Sequence, residues 1–322
     1  TSSNSTTPRG IIMSNSTEHP WDADRPLDAQ RVALLLKAAA PELAHTPIRW
    51  LGEGWDNEVY GVGDWIFRFP KRASVVHLQQ QESQTMTLLA EQLPVAVPVF
   101  EIFGDPGPFF PYPFVGYRRV PGVPMNQTMP PPSARPMLVA ALAEVLDRFI
   151  ALSDTPLIQE LDIQTYDPQQ VRQRVLTEKL EEVIPVLGEE TVERWRSYCR
   201  DASIPEPWQG KPVYLHNDLC SDHLLLDPEC WDLVGIIDFA DQCLGDPVSD
   251  LMGLAAIFGL DFAFEVAESM TALTLSAADR ARLVDQTALF PMEWASHAAV
   301  RGEPHVTAHY STIVEQALRW TP

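Results

Sequence analysis

The sequence predicts an α+β fold in two lobes, with a small β-rich amino-terminal lobe and a larger helical carboxyl-terminal lobe. Alternating and aromatic-rich runs separated by glycine and aspartate fill the first third, which is typical of antiparallel strands. Apolar residues then recur mostly at helical spacing. A proline-rich stretch at 121–136 separates the two patterns. We therefore expect lobes at 27–120 and 121–322, after a disordered leader or tag at 1–26.

The first predicted lobe begins with a helix at 27–43, which Pro41 limits. At 48–72 the pattern changes to that of two or three antiparallel strands joined by tight turns. A helix at about 75–93 follows, and then two strands, "VPVFEIFG" and "PFVGYRRV".

The second predicted lobe is mostly helical. Helical patterns cover 134–152 and 168–200, and they precede an apolar strand, "PVYLHND". A short hairpin at 223–240 leads into helices that run to the carboxyl terminus.

Composition narrows the function. Forty-four acidic and 23 basic residues give a formal net charge of -21. Such a field repels nucleic acid and anionic lipid and favours a cationic substrate, although an acidic solvated surface gives the same composition. The longest apolar runs fall short of the roughly 20 residues that a membrane helix needs, and the four cysteines form no C-x-x-C pair. We expect a cytoplasmic monomer with reduced thiols that binds neither nucleic acid nor a membrane.

Residues with catalytic chemistry concentrate in "YLHNDLCSDHLLL" at 214–226. Asp218 and His223 have the spacing of the kinase catalytic loop, H-R-D-x-x-x-x-N. In that loop the aspartate accepts the proton of the substrate hydroxyl, and the last residue binds a metal ion. Asp238 follows 20 positions after Asp218, at the end of an apolar strand where kinases hold Mg²⁺. Two carboxylates that end two apolar strands at this spacing indicate a metal–phosphate site.

Residues 213–252 strongly resemble the aminoglycoside phosphotransferase family, which includes the macrolide kinases. The family pattern is a strand, H-x-D-x-x-x-x-N or H, a hairpin, I-D-[FW] and G-D-P-x-x-D-L, and the chain has "HNDLCSDH", "IDF" and "GDPVSDL". The resemblance extends upstream through "YPFVGYRRVPG", "LPVAVP" and "LGEGWDNEVYGVGDWIFRFPKR", and so covers most of 48–255. It implies a protein-kinase-like fold that transfers the γ-phosphoryl group of ATP or GTP to a hydroxyl.

The resemblance also assigns roles. Asp218 orients the acceptor hydroxyl, and Asp238 with His223 holds Mg²⁺. Arg68 takes the position of the strand residue that pairs with the nucleotide phosphates, and Glu82 that of its helix partner; arginine keeps the charge of lysine but not its compact geometry. The other predicted nucleotide contacts lie in the "GEG" turn, which by itself is also typical of a plain β-turn, and before the hinge: Gly52, Gly54, Tyr117 and Arg118.

Histidine at 223 is a departure from the commoner asparagine and resembles the macrolide kinases and some aminoglycoside 2''-kinases. A neutral imidazole ligates divalent metals through one nitrogen, whereas Mg²⁺ prefers oxygen. We therefore expect the second metal to be bound weakly or through water.

The predicted acceptor contacts lie in "LFPMEWASHAAVRGEP" at 289–304. Glu293 and His297 fall on one helical face four positions apart, with Trp294 beside them. They would form a negative pocket with an apolar surface for an amine-bearing aminoglycoside or macrolide. An ordinary amphipathic helix with Trp294 in the core is the alternative.

Other classes fit the sequence less well. His216, Asp218, Cys220 and His223 could be zinc ligands of a hydrolase, but no H-E-x-x-H and no paired Cys/His spacing accompanies them. We expect His216 to be a buried, hydrogen-bonded loop residue and Asp250 to hold the loop by accepting hydrogen bonds. No P-loop and no G-x-S-x-G motif is present. A kinase of another small metabolite and a nucleotide-binding pseudokinase stay open.

Overall fold

The structure, a computed structural model of the protein, describes residues 22–201 and 205–320. The predicted leader at 1–26 therefore lies outside the described residues up to residue 21. Just beyond that point, Asp24 donates its backbone N–H to the carbonyl of Lys71 at 2.8 Å. Within the described part of the chain, no helix has both the length and the apolar composition that crossing a membrane requires.

The chain divides into two units that are not continuous in sequence. The first contains the described residues up to Val76 together with Ile102–Gly116. The second contains His77–Glu101 and the described residues from Tyr117 onward. The helix and loop that follow the first three strands thus belong with the carboxyl-terminal residues, whereas the sequence placed them in the amino-terminal lobe.

The first unit is built on antiparallel strands. One five-stranded sheet has the order β1-β2-β3-β5-β4: β1 (Ile48–Glu53), β2 (Asn57–Val62), β3 (Trp65–Pro70), β4 (Phe100–Gly104) and β5 (Phe114–Arg118). Phe69 and Phe114 stack with ring centroids 4.7 Å apart. Helix α1 (Ala29–Ala39) buries Val32 and Leu36 in the same core. The alternating aromatic residues that predicted strands here thus pack into the core of this sheet.

The second unit carries most of the helices. They are α2 (Val76–Gln92), α3 (Arg135–Leu152), α4 (Pro156–Glu160), α5 (Pro168–Arg174), α6 (Leu180–Leu187), α7 (Glu189–Arg200), α8 (Ser249–Phe258), α9 (Leu260–Ser269), α10 (Ala277–Val300) and α11 (Pro304–Leu318). The helical pattern predicted at 168–200 is divided into α5, α6 and α7 by a π-helical turn at Val175–Lys179 and by Gly188, whose φ of 79° no right-handed helix allows.

Two small sheets in the second unit hold the polar loops. They contain β6 (Val123–Pro124), β7 (Val213–Leu215), β8 (Leu224–Leu226), β9 (Leu233–Ile236) and β10 (Cys243–Gly245), in the orders β6-β8-β9 and β10-β7. The strand predicted at 212–218 ends at Leu215, and Asn217 has a φ of 66° that a strand cannot continue through. Ala96 bridges to Gly235 of β9, which ties the segment after α2 to this unit.

Close contact between α8 and the loop after β7 depends on a glycine. A Cβ at Gly253 would lie 2.2 Å from the carbonyl oxygen of Leu219, well inside van der Waals contact. The helix therefore packs directly on the loop backbone at residues 216–223, and its first turn reaches that loop with a side chain.

Candidate active site

The loop at 216–223 is held from below by one buried carboxylate. Asp250, in the first turn of α8, accepts the backbone N–H of His216 at 2.9 Å and that of Asn217 at 2.7 Å. Burial raises the pKa of Asp250 to about 7, although the two N–H donors lower it. The expectation that Asp250 holds the loop by accepting hydrogen bonds is confirmed.

The imidazole of His216 links the two acid-bearing segments. Its Nδ1 accepts the backbone N–H of Asp218 at 3.1 Å, and its Nε2–H donates to the carbonyl of Ile237 at 3.1 Å. The side chain is fully buried, and burial together with the nearby His223 lowers its pKa to about 3. His216 is therefore neutral, and both its nitrogens form hydrogen bonds that position the loop. The expectation that it is a buried, hydrogen-bonded loop residue is confirmed.

His223 lies between the two predicted acids. Its Nδ1–H donates to the carbonyl of Asp218 at 2.8 Å, and the same nitrogen is 3.3 Å from Asp218 Oδ2. Its Nε2 is 3.6 Å from Oδ2 of Asp238. The structure thus brings together the three side chains that sequence spacing selected, with one ring facing both carboxylates.

Strand register brings Asp238 to this position. Leu224 of β8 pairs with Ile236 of β9, and one step further Ile237 donates its N–H to the carbonyl of His223 at 3.1 Å. Asp238 then turns with a φ of 64°, a left-handed conformation that costs a non-glycine residue about 1–3 kcal/mol. Such backbone is retained where the surrounding hydrogen bonds enforce it, and it aims the Asp238 carboxylate at His223.

The ionisable groups of Asp218, Asp238 and His223 shift one another's pKa values. Burial and the neighbouring carboxylates of Asp238 and Asp222 raise the pKa of Asp218, while His223 lowers it. Burial lowers the pKa of His223, but the contact with Cys220 and both carboxylates raise it, and the net pKa is well above the ordinary value. The raised pKa of His223 therefore reflects its position between the two carboxylates, at the place where a cation is expected.

The predicted nucleotide residues fall in both units. Arg68 is buried in β3 of the first unit, and Gly52 has a φ of 148° beside an irregularity in the β1–β2 ladder. Gly54 donates its N–H to the carbonyl of Asn57 at 2.9 Å, which closes the turn between these strands. This part of the first unit is the hairpin that the sequence predicted.

Glu82, Tyr117 and Arg118 lie in the second unit. Glu82 of α2 is fully buried, and its Oε1 accepts the backbone N–H of Phe239 at 3.2 Å, so it braces the segment that carries Asp238. Tyr117 is buried against Phe100, with ring centroids 5.7 Å apart, and Arg118 is exposed at the end of β5. Contacts of these residues with a nucleotide stay predictions.

The acceptor residues predicted on α10 have a partner that the sequence did not reveal. Arg174 of α5 forms a two-pronged ion pair with Glu293, with contacts of 3.0 and 3.2 Å. Burial, Lys179 and Arg174 together keep the pKa of His297 below its ordinary value, against the pull of Glu293. The negative charge of Glu293 is therefore compensated by the Arg174 guanidinium. The sequence had instead suggested a pocket with an uncompensated negative charge.

Trp294 is only partly buried and lies beside the loop at 216–223. Its ring packs against Phe290 and Tyr310, with centroids 6.0 and 5.5 Å away. It also lines a small recess that contains Asp218 and Asp250. This placement favours the functional interpretation of Trp294 over burial in the core.

Asn217 also lines a larger pocket of about 260 Å³. Three residues that line it each have a buried polar atom with no hydrogen-bond partner among the described residues: Oδ1 of Asn217, the hydroxyl of Tyr166 and Nε2 of Gln242. An unsatisfied buried polar group costs about 1–3 kcal/mol, but these atoms expose almost no surface, so a ligand in the pocket reaches them only if their side chains move. Arg174 also lines this pocket. Sequence reasoning missed Tyr166 and Gln242, because neither lies in a recognisable motif.

Comparisons with known proteins agree with this geometry. The model of the phosphotransferase enzyme family matches residues 47–312. The structure of a GDP and kanamycin complex of an aminoglycoside 2''-phosphotransferase, type IIIa, has a TM-score of 0.72 at 24% identity, over 89% of this chain and 98% of that one. A macrolide 2'-phosphotransferase of type I has a TM-score of 0.63 at 20% identity, over 89% and 98%.

A third structure is the streptomycin–ATP complex of the aminoglycoside 2''-phosphotransferase of type IIa. It has a TM-score of 0.60 at 16% identity, over 90% of this chain and 99% of that one. A search of curated protein sequences found no match. The predicted two-lobe α+β class and the predicted reaction class are confirmed. With most of its length matched by the family model, the chain belongs to the phosphotransferase enzyme family.

Proposed function

We propose that the protein transfers the γ-phosphoryl group of ATP or GTP to a hydroxyl of an amine-bearing antibiotic, an aminoglycoside or a macrolide. The observation that carries this proposal is the position of His223 between the carboxylates of Asp218 and Asp238. The structures of similar fold support the substrate class, since two are complexes with kanamycin and streptomycin and one is a macrolide 2'-phosphotransferase.

Asp218 is assigned the catalytic role. About one third of its side chain is exposed, so an acceptor hydroxyl can reach the carboxylate. The backbone N–H of Asp218 is held by His216, and the backbone of the preceding loop residues is held by Asp250. These hydrogen bonds fix the direction of the Asp218 carboxylate before a substrate binds. Because phosphoryl transfer passes through a loose transition state, orienting the hydroxyl matters more than strong proton abstraction. The raised pKa of Asp218 helps it accept the proton late in the reaction.

Asp238 and His223 would hold Mg²⁺. When bound, Mg²⁺ neutralises the charge that spreads over the transferred phosphoryl group. The carboxylate of Asp238 is the ligand type that Mg²⁺ prefers, and His223 presents Nε2 to the same place because its Nδ1 is engaged with Asp218. Binding through Nε2 requires that nitrogen to lose its proton, so metal affinity should rise with pH.

The nucleotide assignment rests on the family match. Arg68 supplies a cation for the phosphates, and the turn of Gly52 and Gly54 offers backbone to them. Apart from each glycine and its chain neighbours, no described atom lies within 4 Å of a Cβ built at either position, so this backbone is open to a close ligand. In the second unit, Glu82 braces the Asp238 segment through the Phe239 N–H. Tyr117 and Arg118 follow in the chain as the hinge segment that would meet the base.

For the acceptor, we assign the 260 Å³ pocket and Trp294. The pocket is below the range of about 300–1,000 Å³ typical of drug-sized ligands, so one sugar ring fits it better than a whole antibiotic. Polar side chains such as Gln81, Gln164 and Gln170 line it and suit hydroxyl and amino groups. Trp294 offers an apolar face beside Asp218. Both antibiotic classes carry amino sugars.

Mass spectrometry tests the proposal directly. The protein, with either ATP or GTP and Mg²⁺, is incubated with a panel of aminoglycosides, macrolides, choline, homoserine and a protein substrate. We expect a gain of one phosphate on an aminoglycoside or a macrolide, and a much smaller gain in the same time with the Asp218→Asn variant. Turnover of choline or of the protein, with neither antibiotic class modified, would instead favour a kinase of another kind. Nucleotide binding without consumption would identify a pseudokinase.

A further inference from the structure

A buried lysine directly after β3 holds the turn at 53–57 between β1 and β2. Lys71 is only 4% exposed, and its ammonium group donates to the carbonyl of Gly54 and to Oε2 of Glu53, each at 3.2 Å. A charged group is buried only where partners replace the water that it loses. Both of these partners belong to the turn, so the burial of Lys71 ties the turn to the end of β3.

Arg72 holds the same turn at two further points. Its Nη1 donates to the carbonyl of Trp55 at 2.8 Å, and its Nη2 donates to Oδ1 of Asp56 at 2.7 Å. The backbone N–H of Lys71 donates to the carbonyl of Asp56, also at 2.7 Å. Three successive carbonyls, at 54–56, are therefore held by these two basic residues.

The planarity of the peptide group determines where the N–H groups of this turn point. The described residues contain no cis peptide bond, and in a trans peptide the N–H points opposite to the carbonyl that precedes it. The N–H of Trp55 therefore points away from the Lys71 ammonium group, and the N–H of Asp56 points away from the Arg72 guanidinium. Successive backbone N–H groups on one side of a turn attract anions.

We propose that Lys71 and Arg72 are positioning residues for the nucleotide, which fix the turn at 53–57 so that its N–H groups are aligned before the phosphates bind. This inference rests on the proposed function, which places the nucleotide phosphates at Gly52 and Gly54. A turn that is fixed beforehand loses little conformational freedom on binding, so the affinity for phosphates is higher. Both cations also attract phosphates by their charge alone, and the test has to separate the two effects.

Two substitutions separate charge from position. Lys71→Met keeps the approximate length of the side chain but removes the charge and both contacts of the ammonium group. Arg72→Lys keeps the charge, but a single ammonium group does not reproduce the two separate contacts that the planar guanidinium makes with Trp55 and Asp56. The turn residues that lose a partner are exposed or partly exposed, so water replaces the partner and the fold is kept.

Calorimetric titration compares the binding of ATP and GTP, each with Mg²⁺, with the binding of adenosine and guanosine. We expect the Kd of the triphosphates to rise about tenfold in Lys71→Met and about threefold in Arg72→Lys, the range that the loss of one hydrogen bond gives. Adenosine and guanosine have no phosphates, so their Kd should stay unchanged. Lys37→Met and Arg31→Lys are the matched controls, because they make the same substitutions at exposed positions of α1 in the same unit.

The inference is overturned if Arg72→Lys binds the triphosphates as tightly as the wild type, because charge alone would then be sufficient. It is also overturned if nucleosides and triphosphates weaken together, since Lys71 and Arg72 would then only maintain the fold of the first unit. A wild type that binds no triphosphate contradicts the proposed function and this inference with it. A wild type that binds triphosphates no better than Lys71→Met does contradicts this inference alone.

Discussion

The loop at 216–223 and helix α10 both supply side chains to the recess at Asp218, but their charges are fixed in different ways. In the loop, partners are close in sequence: His223 contacts Asp218 five positions away, and Asp250 reaches the loop from 34 positions away. On α10, Glu293 is neutralised by Arg174, 119 positions away. A short motif therefore encodes its own geometry, whereas the charge of a helix face depends on whatever element packs against it.

Asp218→Asn should have the largest effect and tests the loop half of this comparison. The amide keeps the size of the side chain but cannot accept the acceptor's proton, so we expect turnover to fall by about 10²–10⁴-fold with nucleotide binding largely retained. Steady-state kinetics and nucleotide titration measure the two quantities. Asp222→Asn, an exposed neighbour in the same loop, serves as the control and should change turnover little. Near-normal transfer by Asp218→Asn would remove Asp218 from catalysis.

His223 gives the next largest effect. Asparagine offers an oxygen ligand at similar reach, so His223→Asn should stay active and shift its preference toward Mg²⁺ relative to Mn²⁺. His223→Ala removes the ligand without a replacement, so its activity should fall at least by the factor of about 10–100 that changing a group around a metal ligand costs. Initial rates over Mg²⁺ and Mn²⁺ titrations separate the cases. Equal activity in all three proteins would place the metal elsewhere.

Gly253→Ala tests whether α8 fixes the loop through direct backbone packing. The new Cβ would meet the carbonyl of Leu219, which cannot move without shifting the loop that carries Asp218. We expect a stability loss of about 1–3 kcal/mol and a fall in kcat of about tenfold. Thermal unfolding and kinetics measure both. Gly107→Ala is the matched control, since no described atom lies within 4 Å of a Cβ there; a similar loss in both variants would show a general effect of removing glycine.

The same contrast explains what the sequence predicted. The two-lobe class, the β1–β3 hairpins and the meeting of Asp218, His223 and Asp238 follow from periodicity and from fixed spacings across short strands. Spacing does not show that α2 packs with the second unit, because this depends on the bridge between Ala96 and Gly235. It also gives no hint of the pocket at Tyr166, since its walls come from segments remote in the chain.

Arg174→Ala sharpens the other half of the comparison and should have the smallest effect. Removing the guanidinium leaves the Glu293 carboxylate uncompensated beside the proposed acceptor pocket. An aminoglycoside with several ammonium groups should then show a KM lower by about two- to fivefold, in line with the ~0.2–1 kcal/mol of a partly exposed ion pair. Its KM should also depend more steeply on salt, while a macrolide with one amine changes less.

Arg135→Ala is the matched control for this variant, because it removes the same charge from an exposed ion pair with Glu265. It changes the net charge of the protein equally, so any effect of the overall field appears in both variants, and an effect of the Arg174–Glu293 pair appears in one. A higher aminoglycoside KM in Arg174→Ala alone would mean that Arg174 holds the shape of the pocket rather than cancelling its charge. For aminoglycoside binding, the charge on α10 would then matter less than the position of α5. The loop at 216–223 and α10 would then differ in how their shape is fixed rather than in how their charge is fixed.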